Sequence, residues 1–280
     1  MSDQPVVDLT APVDVTSAAL DARALQQGLD VHGYVIVRDV VPKQPLTELG
    51  RSIVGAFEHA KASKQLFQGG GSLSGHLNCF PGEQSRFVYD ALVDHGIVDK
   101  IRSLAPEIAD SVRATLNFNL PNSVAQHYHT DGLYTKEFLI CNIAVVDTVV
   151  ANGAIDVLPG TNRRFYKFWQ YAVGRTYRSS TRLPLNQGDV LVRTSTLWHR
   201  GMPNSSDEPR PMMAITFGEI DDPAFDPFKI NDGEVEFYPN WFNTSRLGRA
   251  RERTFVAAPL LYSAYRFARS LYGNKGYSSF

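Results

Sequence analysis

The chain of 280 residues is 43% hydrophobic and has a formal net charge of −1, so it can bury one substantial core and lacks the basic excess of a general nucleic-acid binder. Its two cysteines are too few for a disulfide framework and indicate a reducing compartment, for which we expect the cytoplasm. No apolar run approaches the length of about 18 residues that spans a bilayer, and no signal-like segment is found, so we expect neither a transmembrane segment nor secretion.

The first part of the chain is expected to be mostly helical. Residues 1–17 are polar and contain proline, which predicts a flexible segment, and residues 18–110 combine helical patterns with one opening strand at 33–40. We expect 1–280 to form a single domain, because β-rich chains of this size are routinely one unit. Apolar residues recur at helical spacing in three segments: 18–29, 42–62 and 89–104.

A glycine-rich stretch at 69–75 interrupts this helical part. It is similar in composition to a phosphate-binding loop but lacks the lysine and the following serine or threonine that such a loop needs. Two interpretations therefore stay open: an ordinary mobile loop, or a lid that closes over a substrate bound nearby.

Strand and turn patterns dominate the segment 112–220. Residues 114–121 alternate in polarity and end at Pro-Asn, which predicts a strand that leads toward His129 and Asp131. Positions i and i+2 of an extended segment face the same way, so these two side chains can contact one ion. With His199 they supply two imidazoles and a carboxylate, the set that holds iron(II) on one face and leaves the remaining positions open.

Two further strands are predicted at 185–193 and 211–218, each an apolar, β-branched run after a turn. We expect them to be adjacent, with His199 near the end of the first and Arg210 at the start of the second. An arginine at this point can form a two-pronged ion pair with a carboxylate. Trp198, beside the candidate ligand, is expected to pack in the wall of the barrel.

An aromatic insert at 163–174 separates the strand blocks. Its rings either pack on the β core as a short helix or form part of the wall of a substrate pocket, since pockets are mostly apolar. In the second case Trp169, together with Tyr134 from the turn after the metal-binding motif, is a candidate substrate contact.

The C-terminal extension, 221–280, contains a basic segment at 241–253 and an amphipathic helix at 259–272. One interpretation is a solvated basic face beside a packed helix, and another is peripheral membrane contact. A third is a site for an anionic part of the substrate, such as a phosphate, carboxylate or carrier group, bound by arginines of this segment: Arg246, Arg249 and Arg251.

Six blocks follow one another along the chain: 33–40, His129-Thr130-Asp131, 152–161, 188–191, Trp198-His199 and Arg210. In this order and spacing they resemble the signature of the phytanoyl-CoA dioxygenase-like oxygenases, which use iron(II) and 2-oxoglutarate. The resemblance covers roughly residues 20–220, and the combination is far more specific than any single block.

This resemblance implies a mainly β fold with flanking helices and a double-stranded β-helix, or jelly-roll, core. It also implies iron(II) held by His129, Asp131 and His199, with Arg210 pairing with the far carboxylate of 2-oxoglutarate and O2 as a second co-substrate.

Three other polar residues are candidate contacts of the co-substrate. Asn119, like Asn117, lies on the strand where relatives of the family place polar groups against 2-oxoglutarate. His127 shares the face of His129, so it either contacts co-substrate or substrate or is a structural histidine beside the metal.

The expected reaction is hydroxylation of an unactivated C–H bond of a small organic, lipid-like or natural-product molecule, with release of succinate and CO2. The same chemistry also permits desaturation, epimerisation or ring closure, whereas the carboxylate of Asp131 disfavours halogenation, because related halogenases have a small residue there. Two other classes stay open: an iron dioxygenase that uses no 2-oxoglutarate, and a non-catalytic jelly-roll module that binds a metal such as zinc. Substrate identity and oligomeric state are not predicted.

Overall fold

Two β-sheets form the centre of the computed structural model, which describes residues 14–63, 71, 73–219, 225–238 and 245–272. Most of the segment expected to be flexible lies outside these residues, as do positions 69, 70 and 72 of the glycine-rich stretch. Neither interpretation of that stretch is therefore tested.

The strands are β1 (Asp14–Thr16), β2 (Tyr34–Arg38), β3 (His76–Phe80), β4 (Val112–Asn119), β5 (Leu139–Ala144), β6 (Ile155–Val157), β7 (Thr181–Leu183), β8 (Val190–Thr194), β9 (His199–Arg200), β10 (Arg210–Phe217) and β11 (Glu236–Tyr238). The helices are α1 (Ala22–His32), α2 (Lys43–Ala62), α3 (Arg86–Asp94), α4 (Ile97–Leu104), α5 (Phe168–Val173), α6 (Arg246–Ala257) and α7 (Pro259–Leu271).

The larger sheet has eight strands in the order β1-β2-β8-β5-β10-β4-β3-β11, and the smaller has three in the order β7-β6-β9. This architecture confirms the expected mainly β fold with flanking helices. The expected adjacency of the two strands around His199 and Arg210 is wrong, because β5 lies between β8 and β10 and pairs with both. Pairing between distant segments decides this order, and local pattern does not reveal it.

The larger sheet separates the apolar core from a cavity. Alternate residues of a strand point to opposite faces, and in β4 Ala114, Leu116 and Phe118 are buried in the main apolar cluster. The intervening positions of β4 line the cavity instead. Residues of α1, α2, α3 and α4 complete the main cluster, so the helices of the first part of the chain cover the outer face of this sheet.

The three helical segments predicted in the first part of the chain are found, one with a later start and one divided into two helices. The first begins at Ala22, later than expected, because the Asp21 carboxylate caps it by accepting from the N–H of Ala24 at 2.6 Å. The region expected as one helix at 89–104 is two helices, since Gly96, with φ of 65°, turns the chain between them. The helix predicted at 42–62 matches α2.

The aromatic insert packs on the β core. Within it, α5 buries Phe168 and Tyr171, and the Tyr171 ring stacks on Trp198 with centroids 4.7 Å apart and planes 7° apart. Trp198 is thus a wall residue, as expected. In the extension, α6 and α7 form two helices that meet at Ala258. No helix among the described residues is both long and apolar enough to cross a membrane.

Candidate metal centre

Three side chains with metal-binding atoms converge at one edge of the smaller sheet. His129 and His199 face each other across an antiparallel bridge, with mutual N–H···O bonds of 3.0 and 2.9 Å. Asp131 Oδ1 lies 3.8 Å from Nε2 of His129, and its Oδ2 lies 3.5 Å from Nε2 of His199. One potential ligand atom from each of the three residues lies within 4.8 Å of those of the other two, so one ion could contact all three.

His199 reaches this position by a route that the sequence did not reveal. It belongs to β9, a separate two-residue strand of the smaller sheet, and is not at the end of β8. The turn at 195–198 carries the chain from one sheet to the other. Its placement therefore depends on a change of sheet.

Both imidazoles are oriented for metal binding by backbone carbonyls. Nδ1 of His129 lies 2.9 Å from the His127 carbonyl oxygen, and Nδ1 of His199 lies 3.0 Å from that of Leu197. A proton on Nδ1 donates to each carbonyl and leaves the Nε2 lone pair directed at the carboxylate. Burial lowers the pKa of His199 to about 3 and also lowers the pKa of His129, so both rings are neutral. Neutral imidazole is the form that binds a metal.

Asp131 is held by an arginine that the sequence analysis missed. Its N–H donates to the Ser195 carbonyl at 2.8 Å, and Nη2 of Arg193 donates to its Oδ2 at 2.7 Å. Nε of Arg193 donates in turn to Asn142 Oδ1 at 2.8 Å. Burial works to raise the pKa of Asp131, but the charge and the hydrogen bond of the neighbouring Arg193 guanidinium outweigh it and hold the pKa well below its usual range. The only sequence signal was a charged residue inside an apolar strand.

A cavity of about 710 Å³ opens beside these residues, between the two sheets, and Arg210 lines it. The Arg210 side chain is 3% exposed, and Nη2 donates to the Gly153 carbonyl at 3.3 Å. Its Nε has no hydrogen-bond partner among the described residues. Burial lowers the pKa of Arg210 to about 10. A buried guanidinium with an unused donor is suited to a carboxylate ligand.

The other candidate co-substrate contacts lie in different surroundings. His127 lines the cavity, with its ring 5.5 Å from that of His129 and 5.6 Å from that of Phe255, centroid to centroid. Asn119 is fully buried, is absent from the described lining, and uses its amide N–H on the Met202 carbonyl at 3.0 Å. Its Oδ1 has no partner among the described residues, and its co-substrate role stays a prediction, whereas Asn117 on the same strand lines the cavity.

The four candidate substrate contacts are not among the described residues that line the cavity. The Tyr134 hydroxyl donates to the Asn162 carbonyl at 3.3 Å, and the Trp169 N–H donates to Ser270 Oγ at 2.9 Å. Arg246 and Arg249 lie exposed in the first turn of α6. Of the described residues of α6, the cavity lining includes Phe255, near the opposite end of the helix.

His76, a second residue that the sequence analysis missed, lines the cavity from β3. Its Nε2 lies 2.8 Å from the Val124 carbonyl oxygen, and its Nδ1 has no described partner. Burial is the main cause that lowers the pKa of His76 to about 4. A lone histidine after a glycine carries no signal that would have identified it.

A jelly-roll core that joins two histidines and one carboxylate beside a buried arginine defines a class, the metal-dependent oxygenases of this fold. The model of the family Phytanoyl-CoA dioxygenase (PhyH) matches residues 29–212, and the chain belongs to this family. It is a 2-oxoglutarate-dependent oxygenase, and its cofactors are iron, 2-oxoglutarate and O2.

Solved structures of similar fold include the proteins SnoN, SnoK and HygX. The epimerase SnoN, crystallised with Fe3+, alpha ketoglutarate and nogalamycin RO, is 17% identical, with 81% of this chain and 88% of SnoN covered at a TM-score of 0.50. The alpha ketoglutarate dependent carbocyclase SnoK from nogalamycin biosynthesis is 16% identical. The match covers 85% of this chain and 93% of SnoK, and the TM-score is 0.51. HygX from Streptomyces hygroscopicus, with nickel, 2-oxoglutarate and hygromycin B bound, is 11% identical. The match covers 70% of this chain and 86% of HygX, and the TM-score is 0.50. At these identities the similarity concerns the fold.

Proposed function

We propose that this oxygenase binds iron(II) through His129, Asp131 and His199, binds 2-oxoglutarate through Arg210, and hydroxylates a C–H bond of a small organic substrate. One oxygen atom of O2 enters succinate, which is released with CO2, and the other enters the product. Bound iron, with 2-oxoglutarate and O2, supplies the oxidising power for attack on an unactivated C–H bond.

The observation that carries this proposal is that the ligand atoms of His129, Asp131 and His199 are arranged to bind one iron ion. Nδ1 of each imidazole is occupied by a backbone carbonyl, and both Nε2 atoms converge with the Asp131 carboxylate within 4.8 Å. Two neutral nitrogen donors and one anionic oxygen donor suit a divalent iron and leave positions open for ligands.

The orphaned donor of Arg210 supports the assignment of the co-substrate. A buried cation without an anionic partner is costly to a protein, and a bound carboxylate would offset that cost. The dicarboxylate 2-oxoglutarate offers such a group at the end that takes no part in the reaction.

The residue that precedes the His-x-Asp motif, Tyr128, is held by contacts with two strands of the smaller sheet. The Tyr128 hydroxyl donates to Asp156 Oδ2 at 2.7 Å, and Nε of Arg200 donates to the same oxygen at 2.9 Å. The Arg200 guanidinium also lies 4.1 Å from the centre of the Tyr128 ring. These contacts join β6 and β9 to the residue before His129, and they keep its imidazole aligned with that of His199.

The test is iron-dependent formation of succinate by the purified chain, with His199→Ala as the ligand variant and His95→Ala, at an exposed position, as its control. We expect the ligand variant to lose succinate formation and the control to retain it. A protein that binds zinc tightly and never consumes 2-oxoglutarate would instead be a metal-binding module. Turnover unchanged by Arg210→Met would point to an iron dioxygenase that needs no 2-oxoglutarate.

Two other outcomes of the same chemistry, epimerisation and ring closure, are favoured by the fold neighbours, which include an epimerase and a carbocyclase. The mass of the product distinguishes these outcomes. A product heavier by one oxygen atom indicates hydroxylation, one lighter by two hydrogen atoms indicates ring closure or desaturation, and one of unchanged mass indicates epimerisation.

A further inference from the structure

One wall of the cavity is built of polar side chains on two paired strands. Where these strands line the cavity, β3 presents His76 and Asn78, and β4 presents Arg113, Thr115 and Asn117. Asn78 lies directly opposite Asn117 in the register of the two strands, so amide groups form a continuous patch. We call these five residues the polar wall.

The polar wall has unused hydrogen-bonding capacity. Among the described residues, the side chains of Asn78 and Thr115 have no hydrogen-bond partner, and Asn117 has one long bond, from Nδ2 to the Leu77 carbonyl at 3.4 Å. An amide offers two donors and an acceptor, and a hydroxyl offers one donor and two acceptor lone pairs. An acyl chain laid on this wall would displace water and leave these groups unpaired, which is unfavourable.

The polar wall has no unbalanced charge at its outer edge. Nη1 of Arg113 lies 2.9 Å from Glu219 Oε1, and the Thr216 hydroxyl donates to Glu219 Oε2 at 2.9 Å. Because the arginine is already paired with a carboxylate, this wall offers neutral hydrogen-bonding groups and not a site for an anion. Glu219 and Thr216 line the same cavity, so the pair belongs to its lining.

Other parts of the lining are apolar, among them Phe138, Ile140, Ile155, Met212 and Phe255. A ligand that fits both surfaces has hydroxyl groups along one side and C–H groups on the other. Sugar rings have this distribution, with hydroxyl edges and apolar faces that pack on aromatic rings.

We propose that the polar wall binds the hydroxyl groups of a neutral, polyhydroxylated substrate of the glycoside class. This inference rests on the proposed function, because it assigns the substrate of the same cavity. It departs from the lipid-like and anionic substrates that the sequence left open.

The test uses the full chain loaded with zinc and 2-oxoglutarate, so that ligands bind without turnover. The probes are two sets of compounds: methyl glycosides of common hexoses and pentoses, and acyl compounds, namely decanoic acid and decanoyl-CoA. Saturation-transfer NMR reports which compounds bind, and titration gives their affinities. Asn78→Leu and the near-isosteric Thr115→Val alter the polar wall, and Asn186→Leu, at an exposed position outside the cavity, is the matched control.

We expect at least one methyl glycoside to bind, and each polar-wall variant to weaken it by about tenfold, the loss of roughly one hydrogen bond. The control should bind as the unaltered chain does. Thr115→Val keeps the shape of the side chain, so its result stands even if Asn78→Leu fails to fold.

Two results would overturn the inference: binding of acyl compounds with no methyl glycoside bound, or glycoside binding that both polar-wall variants leave unchanged. Calorimetry of 2-oxoglutarate with the metal-loaded chain separates this failure from that of the proposed function. If 2-oxoglutarate does not bind, the proposed function is wrong. If it binds and the glycosides do not, the substrate assignment alone is wrong.

Discussion

Replacement of Arg210 by methionine should make the metal-free, ligand-free chain more stable while it weakens binding of 2-oxoglutarate. Burial lowers the pKa of Arg210 from 12.5 to about 10, which corresponds to about 3 kcal/mol of unfavourable free energy for holding the charge in the folded state. The bond from Nη2 to the Gly153 carbonyl is 3.3 Å long, and its loss should cost about 1 kcal/mol of stability. The net gain in the free energy of unfolding is then about 2 kcal/mol.

The same substitution removes the proposed partner of the co-substrate carboxylate. Truncation of one side of a buried, hydrogen-bonded charge pair costs about 2–5 kcal/mol, so we expect an affinity loss of about a hundredfold or more. At a 2-oxoglutarate concentration of about 100 times its Kd, ligand binding stabilises the unaltered chain by about 2.7 kcal/mol. At that concentration Arg210→Met should gain only about 0.4 kcal/mol.

Urea denaturation of the metal-free chain measures the first effect, and denaturation in the presence of zinc, with and without 2-oxoglutarate, measures the second. Arg51→Met, at an exposed position of α2, is the control. The reasoning fails if Arg210→Met destabilises the ligand-free chain by more than the control does. It also fails if 2-oxoglutarate protects the variant as well as it protects the unaltered chain.

Three further substitutions test the surroundings of the site. His76→Gln keeps a donor for the Val124 carbonyl but cannot be protonated. Because burial lowers the pKa of His76 to about 4 from 6.5, the native chain should lose stability as the pH falls below 6.5, by about 2 kcal/mol more than the variant by pH 5. Urea titrations at several pH values would measure this difference. Arg193→Met should destabilise the metal-free chain by about 3 kcal/mol, because it leaves the Asp131 carboxylate without its cationic partner. Added zinc should therefore stabilise the variant more than it stabilises the native chain. Equal stabilisation of both by zinc would contradict the pairing of Arg193 with Asp131. Gly153→Ala should destabilise the fold by more than about 1 kcal/mol in thermal melts, because its φ is +88° and a Cβ would lie 2.6 Å from Asn119 Nδ2.

Local pattern was sufficient to predict several of the helices and strands but not the order of the strands in the sheet. The strand at β10 was predicted because it is an apolar, β-branched run that follows a turn signal. Its true neighbours are β4 and β5, and that pairing depends on contacts between segments far apart in the chain. The split of 89–104 into α3 and α4 was visible only as a single glycine, Gly96, which an otherwise helical pattern obscured.

The cluster of candidate metal ligands was predictable because metal-binding chemistry restricts residue type and spacing. His129, Asp131 and His199 form a set that few other roles require. Arg193 was missed because a charged residue in an apolar strand can face either side, and its pairing with Asp131 depends on the register of β8 against β5. Arg246 and Arg249 stay a prediction as substrate contacts, because charge alone does not tell which end of a helix reaches a cavity and neither residue is in its described lining.

The cavity is completed by residues that follow the segment shared with the family. The family model ends at residue 212, whereas Tyr238 and Phe255, which line the cavity, lie beyond it. Arg266 of α7 donates from Nη2 to the Tyr128 carbonyl at 2.9 Å, so the last helix is attached to the backbone beside His129. Part of the lining that faces a substrate therefore lies beyond the stretch matched by the family, and exchange of that C-terminal stretch between relatives should change which molecules the cavity accepts while the oxidising machinery is retained.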